Sequence, residues 1–310
     1  MLPKPGGPSL LGVSPTVWLV LGGLLVVWLF LEWEARLEAG GREPLVPPSI
    51  FGSRQMTGGL VMFFTEYLVQ AGLFFTIPLF LSVSLGLSAL ETGVRILPLS
   101  ITLLAAAIGI PRLFPDASPR RVVRLGLLAM FAGIVVLLAA LDADADARIV
   151  TVPLLLAGLG IGALASQLGA VTVSAVPDNT LSPEVGGLQN TATNLGAAVG
   201  TALAGSLLIA TLTAAFLQGV QENPAIPEQV KSQASIQLAS GVPFLSDADL
   251  EAALQNAGVS TQVTTTALEV NRDARVAGLR SALAVLALIA LVGLFSARRV
   301  PSRQPQSSPG

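Results

Sequence analysis

Among the 310 residues there is neither a cysteine nor a histidine. Without Cys no disulfide framework exists. Without either residue, thiol nucleophiles, Ser-His-Asp triads and His- or Cys-ligated metal sites are excluded. No cofactor or metal is called for, and any proton chemistry falls to carboxylates. Charge is also scarce, at 12% of residues, about half the roughly 25% of a soluble domain. A net charge of −2 offers no basic patch and hence no nucleic-acid partner.

What the chain has in quantity is apolar sequence, 52% of the residues, gathered in blocks near the ~20 residues that cross a bilayer. These blocks predict an all-α integral membrane fold of seven spans, with the lipid bilayer as its first partner. The spans run from about Thr16 to Leu31, Gly58 to Val83, Leu90 to Ile110, Val122 to Leu141, Val150 to Val176, Val185 to Phe216 and Val276 to Ala297. The first is no cleaved signal: its apolar stretch is long, Trp28 and Glu32 stand where small residues should precede cleavage, and Pro3 and Pro5 come before it.

Orientation follows from the basic residues. With the C-terminus and its Arg298, Arg299 and Arg303 in the cytoplasm, the other cytoplasmic segments hold Arg36, Arg42 and Arg54, then Arg112, Arg120, Arg121 and Arg124. The short exterior segments hold only Lys4 and Arg148, beside Asp142, Asp144 and Asp146. The expectation is a multi-pass protein of the cell membrane with its N-terminus outside, as an internal stretch of a longer protein would have. A polar segment from about Gln218 to Arg275 is expected outside the membrane, with Pro224, Pro227 and Pro243 and a short helix from Ser246-Asp247 to a stop at Gly258.

Polar and small residues inside the spans supply the candidate functional set. A charge within hydrocarbon is costly and points to function, which singles out Glu66, followed on its face by Gln70, and Arg95, one turn after Glu91. Glu66 lies roughly 6 Å to the cytoplasmic side of its helix midpoint and Arg95 a similar distance to the exterior side, so a direct pair is not expected. Arg95 is expected to pair with Glu91 or to reach the outer interface. Gln167 and Asn194 fall at the depth of Glu66, with Asn190 nearer the interface, and could line an inward-opening polar cavity. The alternative for Glu66 is a protonated or hydrogen-bonded packing residue. Gly158, Gly162 and Ser166, then Ala192, Gly196, Gly200 and Ala204, recur at the four-residue spacing that lets helix backbones approach; these faces either pack or slide. Pro78, Pro98 and Pro153 are expected to break the backbone ladder inside spans.

Several of these stretches resemble one family. Pro44-Leu45, Ile50-Phe51 and Arg54 are followed by Pro78-Leu79-Phe80-Leu81, Gly86, Leu90-Glu91-Thr92-Gly93 and Leu97-Pro98-Leu99. Later come Gly158 to Gly162, Val176-Pro177, Gly186-Gly187-Leu188-Gln189-Asn190-Thr191, Gly196 and Gly200. In this order they resemble the second half of the fourteen-helix drug:proton antiporters of the major facilitator superfamily. Ser82 and Thr193 depart from the pattern, standing where the family often has Gln and Arg. The loop from Gly109 to Arg121 only faintly echoes the superfamily's cytoplasmic Gly/Asp/Arg motif.

The resemblance implies that residues 1–43 hold an exterior N-terminus and a linker helix. Residues 44–216 would then be the first five helices of a C-terminal six-helix bundle, 217–275 an exterior loop, and 276–310 the last helix and a cytoplasmic tail. It further implies proton-coupled efflux of small amphipathic or hydrophobic substrates, with a missing N-terminal six-helix half or a second copy as partner. From their own chemistry and depth rather than from the resemblance, Glu66 is the candidate to carry the proton, Gln70, Gln167, Asn190 and Asn194 are candidates to line the cavity, and Arg95, Gly158, Gly162, Gly196 and Gly200 are candidates for structure or gating. The competing readings are a truncated, non-transporting membrane protein or packing subunit, and a membrane enzyme, which the missing His and Cys disfavour.

Overall fold

The computed structural model describes residues 15–42, 44–142, 145–176, 182–223, 244–256 and 258–302. Lys4, Asp144, Pro177, Pro224, Pro227, Pro243 and Arg303, with much of the polar segment, lie outside the described residues. Eight α-helices are described: α1 Pro15–Ala39, α2 Arg54–Leu79, α3 Ala89–Leu113, α4 Pro119–Ala140, α5 Thr151–Val173, α6 Ser182–Glu222, α7 Asp247–Asn256 and α8 Thr261–Ser296. All but α7 belong to segments long and apolar enough to cross a membrane. In hydrocarbon only helices and closed barrels satisfy every backbone donor and acceptor, so the apolar blocks form helices. Among the described residues seven helical segments are long and apolar enough to span, the number the sequence predicts.

The boundaries differ at the last helix. α8 starts at Thr261, well before Val276. Its first turns, through Thr264, Ala267 and Asn271, are polar but still bury one face, and hydropathy alone cannot detect that part of a helix. α7 begins and ends where Ser246 and Gly258 predict: Ser246 Oγ accepts the Asp249 amide at 3.2 Å, and Gly258 takes φ +71°.

The bundle is a row with a second layer behind it. In the row α3 packs on α5, α5 on α2, and α2 on α6. Behind it α4 packs on α5, α8 packs on α2 and α6, and α4 and α8 meet each other. This places α2 and α5 at the centre, with Leu127, Met130, Leu154, Leu164 and Leu286 buried between the layers. The helix α1 stands outside, touching chiefly the 3-10 turn Pro48–Gly52. Of its residues only Glu34 is buried. The bundle has a basic end, where Arg54, Arg112, Arg121 and Arg299 gather at helix termini, and an opposite end marked by Asp142, Asp146 and α7.

Candidate functional site

Glu66 is placed by the register of α2 against α5. Seven residues before it, Gly59 faces Thr172 of α5. Seven after it, Leu73 shares a crevice with Leu154 and Ala157 of α5 and Ile134 of α4. Seven residues is close to two turns, so Glu66 stands on the same stripe, at the centre of the bundle. It is 2% exposed, and its Oε2 has no hydrogen-bond partner among the described residues. Gln70, one turn on, is half-buried.

The other residues expected to share a cavity with Glu66 are dispersed. Gln167 is buried, but it lies seven residues from Gly160, whose Cα faces Met130 and Gly126 of α4, and so stands on the α4 side of α5. Its described bond, at 3.3 Å, goes to Ser166 Oγ. Asn190 and Asn194 are exposed, and the Asn194 amide donates to Asn190 O at 2.8 Å and to Oδ1 at 3.0 Å. Gly196 and Gly200 set the α2-facing side of α6; at roughly 100° per residue both asparagines are turned well away from it. In this conformation the set does not assemble around Glu66.

Glu91 is engaged locally. Its Oε2 accepts the Ser88 amide at 2.9 Å and hydroxyl at 2.8 Å, while Ser88 Oγ accepts the Glu91 amide at 3.3 Å. This reciprocal cap starts α3, and among the described residues Glu91 forms no salt bridge with the half-buried Arg95. Of the two expectations for Arg95, close pairing with Glu91 yields to the cap, which satisfies two backbone donors, and the charge of Arg95 acts on Glu91 only from a distance. The signal was present in the sequence as Ser88-x-x-Glu91.

The small residues fall where two backbones meet. A Cβ on Gly158 would meet Leu99 O, and one on Gly162 would meet Leu103 O, both on α3. Gly196 and Gly200 bear in the same way on Phe64 O and Leu68 O of α2. Ala204 is buried, and Ser166 Oγ donates to Ala163 O at 2.7 Å. The prolines act differently from one another. Pro78 precedes the π-helical turn Phe80–Ser84, where Ser82 Oγ returns a bond to Pro78 O at 2.8 Å. Pro98 lies within α3, with Thr102 Oγ1 donating to its carbonyl at 2.9 Å. Pro153 is in the first turn of α5, where its missing N–H breaks no ladder bond, so no break occurs there.

Three polar groupings escaped sequence reasoning. At the basic end Gln55 Nε2 donates to Val171 O at 2.7 Å and Ser174 Oγ at 2.9 Å, and Gln189 Nε2 donates to Thr172 Oγ1 at 2.5 Å. Together they tie α2 and α6 to the end of α5. Glu34 and Glu38 of α1 accept the Val46 and Ser49 amides at 3.0 and 3.4 Å, fastening α1 to the following turn. At the opposite end Arg275 pairs with Asp247, which also accepts Arg272 Nε at 2.5 Å. The first and third join segments distant in sequence and the second joins a helix to the turn after it, and spacing along one helix reveals none of them.

The architecture defines a polytopic helical membrane protein with a carboxyl group enclosed at its centre. The family model of the Major Facilitator Superfamily matches residues 6–201, and the chain belongs to that superfamily of transporters. It is 32% identical over 193 residues to the tetracenomycin C resistance and export protein of Streptomyces glaucescens, covering 61% of this chain and 35% of that protein. It is 30% identical over 212 residues to the puromycin resistance protein of Streptomyces alboniger, covering 67% and 40%. With an uncharacterized MFS-type transporter of Mycobacterium tuberculosis it shares 27% over 224 residues, covering 70% and 31%. The chain thus spans about a third of the length of the curated relatives it matches.

Proposed function

We propose that the chain is the C-terminal part of a proton-coupled efflux transporter of the fourteen-helix type, exporting small amphipathic or hydrophobic molecules across the cell membrane. In this reading α1 is a linker helix, and α2 to α6 with α8 form one of the two six-helix bundles that enclose the substrate path, in a superfamily whose sites lie near the midplane between halves. The kinship to two drug-resistance proteins supports export. The basic end faces the cytoplasm, because arginines cluster there and cytoplasmic segments carry the positive excess.

The observation that carries proton coupling is Glu66: a carboxyl 2% exposed in the central pair of helices, with Oε2 unpartnered among the described residues. An ionisable group in that setting marks a proton or ion pathway by default. Gln70 is its neighbour for hydrogen bonding, and Gln167, Asn190 and Asn194 join the path only in another conformation or against the second bundle. Arg95 and the glycine contacts serve structure, and Gly158, Gly162, Gly196 and Gly200 let the row of helices rock without prising backbones apart.

Efflux in a transporter-deficient bacterial host tests the division of labour. Accumulation of a fluorescent drug should fall when the chain is joined to the six-helix half of a drug-exporting relative, and should stay unchanged with the chain alone. Energy-dependent efflux by the chain as a demonstrated monomer would overturn the proposal; efflux by a homodimer would mean that two copies rebuild the path.

A further inference from the structure

The two halves of the bundle differ most in their contacts at one place. α6 packs along α8, whereas the corresponding pair, α3 and α4, hardly touch. Between them runs a cavity of about 840 Å³ at the basic end. Its walls are Ala105, Gly109 and Leu113 of α3 and Leu125 and Ala129 of α4, with Leu159 of α5 at its floor. Leu113 and Leu125 are 73% and 65% exposed, so the groove opens sideways.

We propose that this groove holds one anionic phospholipid from the leaflet at the basic end, its acyl chain between α3 and α4 and its phosphate on Arg121. The depth fits: Arg121 is in the first turn of α4, at the level of an interface, and Ala129 lies roughly 12 Å deeper along the helix. Charge complementarity supports the choice of headgroup. Arg121 lines the cavity, and although its backbone amide donates to Ser118 O at 2.9 Å, its guanidinium makes no hydrogen bond or ion pair among the described residues, while Arg120 Nε donates to Val300 O at 2.7 Å. Asp116 is also on the rim, but Arg112 and Arg124, each next in sequence to a lining leucine (Leu113 and Leu125), add positive charge at the same end of the bundle. Basic pockets between membrane helices at such a level suit anionic headgroups. Substrate is the less fitting occupant, because the groove opens between α3 and the back layer rather than within the row α3–α5–α2–α6.

Gly109 makes the idea testable without harming the fold. A Cβ there would find only Leu113 Cδ1, at 4.0 Å, so Gly109→Leu fills the groove and not a helix contact. In native mass spectrometry of the detergent-solubilised chain, one phosphatidylglycerol should bind at least about tenfold more tightly than phosphatidylcholine. Arg121→Gln and Gly109→Leu should each weaken it about tenfold, and Arg148→Gln, at the other end, should not. On the unaltered chain, phosphatidylglycerol with a photoactivatable acyl chain should crosslink within residues 105–129. Equal affinity for the two lipids, or crosslinks spread over the lipid-facing helices, would overturn the proposal. So would full phosphatidylglycerol binding by Gly109→Leu.

Discussion

Arg275 is 2% exposed and distributes its guanidinium among the Asp247 carboxylate, Leu245 O at 2.8 Å and Val83 O at 3.4 Å. Asn271 adds a bond to Leu245 O at 3.5 Å. The start of α7 is thereby held over the π-helical turn that follows α2, and Asp247 matches the charge of a buried cation whose Nε has no partner among the described residues. Removing one partner of a buried pair costs ~3–5 kcal/mol. Asp247→Ala should fall near the lower end, since the Asp247 side chain is 28% exposed. A lower melting temperature in detergent and faster amide exchange over residues 245–256 would register it; unchanged protection there would mean that α7 is held by its apolar contacts alone. At this scale the sequence was half legible. An acid within an apolar block drew attention to Glu66, and its burial agrees with that. Asp247 was seen as the start of a helix, but Arg275 sat in a segment that hydropathy made a loop, so their meeting was out of reach.

At the scale of elements, backbone approach decides which helices are neighbours. Lipid is as apolar as Leu, so close packing of small residues replaces the hydrophobic drive between helices. Gly200 against Leu68 O and Gly196 against Phe64 O fix α6 on α2, and a carbonyl cannot swing aside as a side chain can. Gly200→Leu should therefore destabilise the bundle by at least ~1–3 kcal/mol. Gly22→Leu on α1, where nothing lies within 4 Å, should stay within ~0.5 kcal/mol. Thermal unfolding in detergent compares the two, and equal effects would contradict the packing described. The four-residue spacing of Gly and Ala announced close contact from sequence, but not the partner, because a glycine stripe fits any smooth backbone. The polar first turns of α8 were missed for the opposite reason: their burial depends on α6 and on α7 with the residues just before it, rather than on apolar content.

For the whole molecule, seven spans were legible because bilayer thickness sets their length, while the row α3–α5–α2–α6 and its back layer required the contacts themselves. The candidate site was legible at Glu66, and less so in its surroundings: depth along a helix was readable, direction around it was not, which is why Gln167, Asn190 and Asn194 scatter. Glu66, in the proposed function, moves the proton that drives export. The direct measurement is drug transport driven by an imposed pH gradient in proteoliposomes, using the transporter with both bundles present and comparing wild type with Glu66→Gln. Glu66→Gln should fold and insert, still exchange drug down its own concentration gradient, and lose the response to the pH gradient. Transport by Glu66→Gln at the wild-type rate, with the same pH dependence, would show that Glu66 only packs α2 on α5.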